Sequence, residues 1–417
     1  MRLLFITDNF PPEVNAPASR THDHAKRWRE LGVDVTVVTC APNFPHGTVY
    51  PGYRNKMFQR ETVDGIRVIR VWSFITANKG FAKRVLDYLS FAFMAFWAGL
   101  FVRSDVIVAT SPQFFTTFAG RALSVVKRTP WVFELRDLWP ESIHAVGAMK
   151  KGRLVRWLEN IELSMYHHAD AVVALTPAFK RNLVDRGVPD HKIAVITNGV
   201  DRRQFAPAAR NRRLRHDLGL HDGFVIGYVG TIGMAHSLDF IVRATATLNR
   251  DDIRLLIVGD GAMREDIEAR AKTLAPGRIV LHPPVPKEQV RDYISACDVA
   301  LVPLKRSETF KTVIPSKIFE MASMRKPILL GVDGQAREIV EGHAAGLFFE
   351  PESEADFHRA VITLADDPDQ IAHLQRGAES LAEAYSRRRL ADDMLDVLQR
   401  VAARAPMSQD LERSRET

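Results

Sequence analysis

Short apolar runs, each closed by turn residues and separated by longer amphipathic stretches, recur along almost the whole of this chain. Leu3 to Thr7, Val33 to Thr39, Asp105 to Ala109, Trp131 to Glu134, Ala171 to Leu175 and Ile193 to Ile196 form one series. Val225 to Val229, Ile253 to Val258, Arg278 to Leu281, Asp298 to Pro303, Ile328 to Leu330 and Leu347 to Phe349 form a second. Such runs lack the apolar–polar alternation of half-solvated strands, so they predict parallel sheets covered by helices on both faces. The expected fold class is α/β, doubly wound, and the pattern occurs twice. At 417 residues the chain is long enough for two domains, since single cores stop growing at roughly 250–300 residues. The turn Asn198-Gly-Val-Asp201 and the Arg- and Ala-rich residues after it form the best boundary.

The second series contains the most informative stretch, Cys297 to Leu330. Between its two strands Pro315 fits the first turn of a helix, Ser316 and Lys317 stand beside the exposed amide end, and Glu320 follows. A helix start with a lysine, and Lys305 and Lys311 nearby, suits a phosphate. A carboxylate one turn on can accept hydrogen bonds from ribose hydroxyls. Two readings stand on the residues alone: a seat for a nucleotide or phosphorylated ligand, or a capped helix beside a solvated lysine loop.

The net charge of +7 and pI of 9.4 favour anionic partners such as sugar nucleotides, lipid phosphates or an acidic membrane surface. No basic and aromatic module for nucleic acid is present. Cys40 and Cys297 are the only cysteines, and His167 and His168 lack a histidine partner at ligand spacing, so neither a disulfide framework nor a metal site is expected. No signal peptide precedes the first strand, which predicts a cytoplasmic protein.

The first strand ends in DNFPPEVNAPASR, at the position where open α/β sheets bind ligands; the loop, with Asn15 and Arg20, is not a glycine-rich dinucleotide fingerprint. APNFPHGTVYPGYRN reads either as an acceptor-contacting loop or as a surface loop packed by its own aromatics. Phe58 to Trp72 reads as a hairpin around Asp64-Gly65. Phe81 to Arg103 is the most apolar segment, and its uncharged part, Tyr88 to Val102, spans roughly 22 Å as a helix. That is short of the roughly 30 Å needed to cross a bilayer. Its aromatics are predicted all around the helix, which leaves a buried crossover helix and contact with an anionic inner membrane as equal alternatives. In LRDLWPES, Arg136, Asp137 and Glu141 emerge as candidates for gripping a sugar, with an internal salt bridge of Arg136 as the alternative.

Two Rossmann-like halves joined at NGVD, with RDLWPES in the first and YVGTIG, VGDG, VPLK and IPSKIFE in the second, resemble glycosyltransferase family 4, the retaining enzymes of GT-B fold. The resemblance covers about residues 1–400, and the motifs together look most like the WbuB-type amino-sugar transferases of bacterial surface-polysaccharide synthesis, O-antigen or capsule. It implies two domains facing a central cleft: residues 1–200 for the acceptor, 201–385 for the nucleotide sugar, a returning helix at 386–403 and a tail at 404–417. Carried over by motif, Gly230, Thr231 and Gly233 lie near the donor diphosphate, Asp260 and Gly261 beside the nucleotide, and Val285 and Pro286 against the base. Lys305 and Lys317 neutralise the diphosphate, helped by amides after Pro315 and Ser316, and Glu320 binds the ribose. Arg136 and Asp137 face the sugar or acceptor, with Asn15, Arg20 and Glu141 on the acceptor side. The common pattern has two glutamates with seven residues between them; Thr312 stands where the first would fall and Glu320 where the second does. Thr231 and about His236 replace the usual arginine and lysine.

The resemblance implies metal-independent transfer of an N-acetylated amino or deoxyamino sugar from a UDP-type donor to a hydroxyl of a polyprenyl-linked or other saccharide, with retention. The nucleotide sugar is the co-substrate, no cofactor is expected, and the enzyme would be either free in the cytoplasm or peripheral on the cytoplasmic face of the inner membrane. A sugar-nucleotide epimerase of the same architecture and an idle nucleotide-sugar-binding subunit are the competing readings.

Overall fold

The computed structural model describes residues 1–44, 46–76, 81–111, 113–138, 153–220 and 223–404. The chain divides into two compact units, Met1–Asn198 with the chain from Arg387 onward, and Gly199–Ser386.

Unit 1 is built on an eight-stranded sheet ordered β3-β4-β2-β1-β5-β6-β7-β8. Its strands are β1 (Arg2–Ile6), β2 (Asp34–Cys40), β3 (Phe58–Val63), β4 (Ile66–Val71), β5 (Val106–Thr110), β6 (Trp131–Leu135), β7 (Ala171–Ala174) and β8 (Ile193–Val195). All pairs are parallel except β3 with β4. That edge hairpin turns at Asp64 and Gly65, both at positive φ (47° and 77°), as a two-residue turn matched to strand twist requires.

One face of this sheet packs against α2 (Phe81–Leu100), α3 (Phe114–Lys127) and α4 (Arg153–His168), through Phe91, Ala95, Leu123 and Tyr166. The other packs against α1 (Ala16–Glu30) and the closing helix Arg387–Ala402, through Trp28, Leu390 and Met394. The closing helix is tied to α1 by Arg387–Asp23 (2.5 Å), Arg27–Asp392 (2.7 Å) and the indole N–H of Trp28 donating to the Ala391 carbonyl (2.7 Å).

The sequence pattern left α3 unassigned. Gly120 lowers its intrinsic helicity, but a Cβ there would stand 2.6 Å from that of Ala109. The glycine lets α3 lie close on β5, and tertiary contact overrides local propensity.

The structure has apolar residues on all sides of α2, as the sequence reading expects. Phe91, Ala92, Ala95 and Ala98 are buried, whereas Phe93, Trp97 and Phe101 are 62%, 47% and 80% exposed. The helix therefore has an inner and an outer apolar face. No helix among the described residues is long and apolar enough to cross a membrane.

Unit 2 has six parallel strands: β9 (Phe224–Val229), β10 (Ile253–Val258), β11 (Ile279–His282), β12 (Val299–Pro303), β13 (Ile328–Gly331) and β14 (Gly346–Phe348). Their order, β11-β10-β9-β12-β13-β14, reverses direction between β9 and β12. Ligands of open α/β sheets sit at such a switch point, beyond the carboxyl ends of the strands. The helix after β12 spans Lys317–Ser323, two residues later than Pro315 had suggested. A turn leads into it, with Ile318 N–H donating to the Pro315 carbonyl (3.1 Å).

Candidate functional site

In unit 2 the loops leaving β9 and β10 are joined backbone to backbone. Gly230 N–H donates to the Val258 carbonyl (2.9 Å) and Ile232 N–H to the Asp260 carbonyl (2.8 Å). Gly259 and Gly261 have φ of +151° and +153°, and a Cβ on them would lie 1.9 Å from the Gly230 carbonyl oxygen and 2.4 Å from that of Ile232. Glycine is required at both by conformation and by space.

Onto this glycine surface points Lys317. The residue as a whole is half-buried, but its Nζ is enclosed and has no hydrogen-bond partner among the described residues. The ammonium stands 4.0 Å from the centroid of the Tyr228 ring and would be 2.9 Å from a Cβ built on Gly230. Burial pushes its pKa down to about 8, opposed by the charge of Glu320. The Tyr228 hydroxyl donates to the Thr231 carbonyl (2.5 Å), fixing the ring under the ammonium. His236 contributes a buried Nδ1, its pKa lowered by burial and then by Lys317, with the Gly233 backbone opposing. A buried, unmatched cation over closely packed backbone is a site that an anion would complete.

The other residues expected on the donor side are placed around it with varying exposure. Glu320 is half-buried on the Lys317 helix and Ser316 precedes that helix exposed. Asp260 is exposed and accepts from Gly261 N–H (2.8 Å). Val285 is half-buried against the cluster of Leu220, Val225 and Leu256, and Pro286 is exposed. Lys305 is exposed, anchored by its N–H to the Ala235 carbonyl (2.9 Å). Lys311 is held in ion pairs with Glu308 (2.8 Å) and Asp333 (3.9 Å), which removes it as a ready phosphate ligand. Thr312 is exposed, its hydroxyl turned back to the Thr309 carbonyl (2.9 Å).

In unit 1, polar side chains crowd the carboxyl ends of β1, β5 and β6. Arg20, expected to face an acceptor, is instead buried and ion-paired with Glu134 (3.0 Å), and it donates to the carbonyls of Ile196 (2.9 Å) and Thr197. It fastens α1 to the sheet. Asn15 caps α1, accepting from Ala18 N–H (2.9 Å) and donating to Asn9 (2.5 Å). Arg136 is fixed by its N–H to the Ser111 hydroxyl (2.8 Å), yet its Nη1 is buried with no partner among the described residues. Burial lowers its pKa to about 10. Asp137 is half-buried beside it. Glu141 lies outside the described residues.

Two acids here were not singled out by sequence reasoning. Asp8 is buried just beyond β1, accepts from the Asn9 amide (2.5 Å) and leaves Oδ1 without a partner among the described residues; burial raises its pKa to about 6, with Arg136 opposing. Glu13 is buried and accepts from the N–H groups of Asn43 (2.8 Å), Phe44 (2.9 Å) and Phe10 (3.3 Å), so it pins the aromatic loop to the β1–α1 loop. An acid in the first strand-end loop was the available signal for Asp8; Tyr228 reads in sequence as an ordinary core aromatic. Among the described residues no cluster of three potential ligands could hold a metal ion.

Residues 15–199 match the family described as "Glycosyl transferase 4-like domain" and residues 223–367 that described as "Glycosyl transferases group 1". Over 327 residues the chain is 24% identical to a colanic acid biosynthesis glycosyl transferase, WcaI, of Escherichia coli K12, covering 76% of this chain and 80% of that one. It is 25% identical over 401 residues to a GDP-mannose-dependent alpha-mannosyltransferase of Mycobacterium tuberculosis, covering 93% and 91%. The fold is similar to that of Anabaena HepE in complex with UDP and glucose (TM-score 0.68, 17% identity, covering 96% and 99%).

Proposed function

We propose, from the premise that this chain belongs to the GT-B glycosyltransferases and is an enzyme of surface polysaccharide or glycolipid synthesis, that it is a retaining family 4 transferase of the WbuB type. In this reading it moves an N-acetylated amino sugar from a UDP donor to a hydroxyl of a lipid-linked saccharide. The observation that carries the donor side is the unpartnered Lys317 ammonium on the glycine surface of Gly230, Gly259 and Gly261. A diphosphate supplies the acceptor oxygens that the ammonium lacks, and the glycines let it approach the backbone. Lys305 adds a second cation from the rim, and Glu320 takes the ribose hydroxyls.

As the anomeric C–O bond breaks, its electron pair passes to the departing diphosphate, the accepting hydroxyl oxygen bonds to the anomeric carbon, and the hydroxyl proton passes to the departing phosphate oxygen. Lys317 is already in place where that charge develops, and burial strengthens its effect. Metal-free transfer is part of this proposal, with lysine charge meeting the leaving group. In unit 1, Asp8 Oδ1, beyond β1, and Arg136 Nη1, beyond β6, are an acceptor and a donor without partners among the described residues, on strands separated by β5. A hydroxyl, with one proton and two lone pairs, can satisfy both. We assign them to the accepting hydroxyl. The outer face of α2 rests on the membrane that carries the lipid-linked acceptor.

Mass spectrometry of a bacterial lipid extract incubated with the protein and a panel of UDP- and GDP-sugars tests this. A sugar-sized mass increment that requires one donor is expected. An epimerised donor with no lipid product would overturn the transferase reading.

A further inference from the structure

The exposed side of α2 is a continuous ridge. Leu86, Leu89, Phe93, Trp97 and Phe101 follow one another at intervals of three and four residues and are 49%, 46%, 62%, 47% and 80% exposed. That spacing keeps them on one face of a helix. Lys83 and Arg84 are exposed at its start and Arg103 at its end.

The ridge terminates at a pocket. A cavity of about 710 Å³ is lined by Phe101 and Arg103 from the turn just after α2, and by Arg2, Arg60 and Arg67 from the sheet. Two acids, Asp34 and Glu61, are also on its wall. Both are already engaged, Asp34 with Arg67 (2.5 Å) and Glu61 with Arg70 (2.6 Å), while Arg2 is paired with Asp105 (2.5 Å). Arg60 and Arg103 make no ion pair among the described residues, so the pocket carries two uncompensated cations. Arg2 and Asp34 are the first residues of β1 and β2, which places the pocket at the amino edge of the sheet. The Asp8 and Arg136 cluster lies at the carboxyl edge.

We infer that this pocket seats the anionic headgroup of a membrane phospholipid whose acyl chains lie along the α2 ridge. The inference rests on the membrane contact proposed above and adds a defined headgroup site to it. The ridge supplies apolar area for the acyl boundary, and Arg60 and Arg103 supply charge at headgroup level next to its end. A phosphodiester accepts from both guanidinium groups at once, whereas a neutral surface leaves them unmatched. The headgroup so bound orients unit 1 on the bilayer with the amino edge of its sheet anchored.

Sedimentation of the full chain with vesicles tests the site. One set is phosphatidylcholine alone; the other contains roughly one-third phosphatidylglycerol, a surface charge that attracts basic segments. The wild type is expected to bind the anionic set about 10-fold more tightly. Arg60→Glu with Arg103→Glu should abolish that preference while leaving weak binding to phosphatidylcholine, with an unchanged Tm. Phe93→Glu with Trp97→Glu should lose binding to both sets. If the arginine variant keeps the wild-type preference, the headgroup site is wrong though the membrane contact stands. If the wild type sediments with neither set, both fail. Glycerol 3-phosphate is the soluble arm: calorimetric binding as tight as to the anionic vesicles would make the pocket a small-phosphate site and overturn the bilayer assignment.

Discussion

Unit 2 contains two lysines that burial treats alike and structure treats differently. Lys326, at the amino edge of the sheet, and Lys317, at the carboxyl edge, are both lowered by burial to a pKa of about 8. The Lys326 ammonium donates to the carbonyls of Cys297 (2.6 Å) and Ser295 (3.3 Å). The Lys317 ammonium donates to nothing among the described residues and faces a ring and a glycine. A shifted pKa therefore does not by itself mark the working residue. The difference is in the hydrogen bonds: one cation is a finished part of the fold, and the other has no acceptor among the described residues.

Substituting the two lysines separately puts this contrast at risk. Lys317→Ala should lower transfer by about 10²-fold or more, the range seen on loss of one electrostatic stabiliser, with nucleotide binding weakened. It should not destabilise the protein. The folded pKa of Lys317 lies below the unfolded value, so below pH 8 its charged form costs stability, and removing it at pH 7 relieves that cost. Kinetics and urea unfolding on one preparation read both effects; a variant that unfolds more easily and still transfers normally would reverse the assignment.

Lys326→Ala should do the opposite. It strips the hydrogen-bond donor from two buried carbonyls, a loss of about 1–3 kcal/mol, and the affinity for UDP should stay within about 2-fold of wild type, less than 0.5 kcal/mol. A stability loss with no change in calorimetric affinity is the expected pair of results.

Asp8→Asn carries the comparison into unit 1, where the other unpartnered atoms lie. Transfer to the acceptor should fall by about 10-fold or more, in line with loss of a group that holds a reacting proton, while UDP binding is unaffected. The folded pKa of Asp8 is raised to about 6, so its ionised form costs stability above that pH; the amide should raise the Tm at neutral pH. Glu13 on the same loop, Arg136 beyond β6 and Asp87 on α2 interact electrostatically with Asp8. Asp87 is itself raised to about 7, so the acid limb of the wild-type pH profile belongs to the group and should flatten without vanishing in the variant.

What could be read from sequence divides along the same line. The strands were legible because runs such as Val106–Ala109 and Leu255–Val258 are apolar throughout, and burial on both faces demands that. Lys317 was legible because motif and helix start coincide. Arg20 was misread because its partners, Glu134 and the end of β8, are distant in sequence; nothing local distinguishes a surface arginine from one that closes a sheet. The two faces of α2 were hidden for a related reason, since the depth of Phe91 and the exposure of Phe93 depend on where α3 packs. Asp8 and Tyr228 gain their meaning only from what fails to pair with them.

The smallest expected effect is also the most specific to Lys317. An anion in the site favours the ammonium, so a bound diphosphate raises the Lys317 pKa above its free value of about 8. Between those two values the free protein is deprotonated and the complex is protonated. Affinity must then fall as pH rises, and binding must take up a fraction of a proton. From pH 7 to 8.5 the protonated fraction of a group with this pKa drops roughly 4-fold, and the affinity for UDP should drop by about the same factor. Calorimetry in two buffers of different ionisation enthalpy measures affinity and proton uptake together. Lys317→Ala should show neither the slope nor the uptake. Lys326 keeps its carbonyl partners whether or not the site is filled, so Lys326→Ala should retain both. A slope that survives in Lys317→Ala would mean that another group, such as His236, meets the diphosphate.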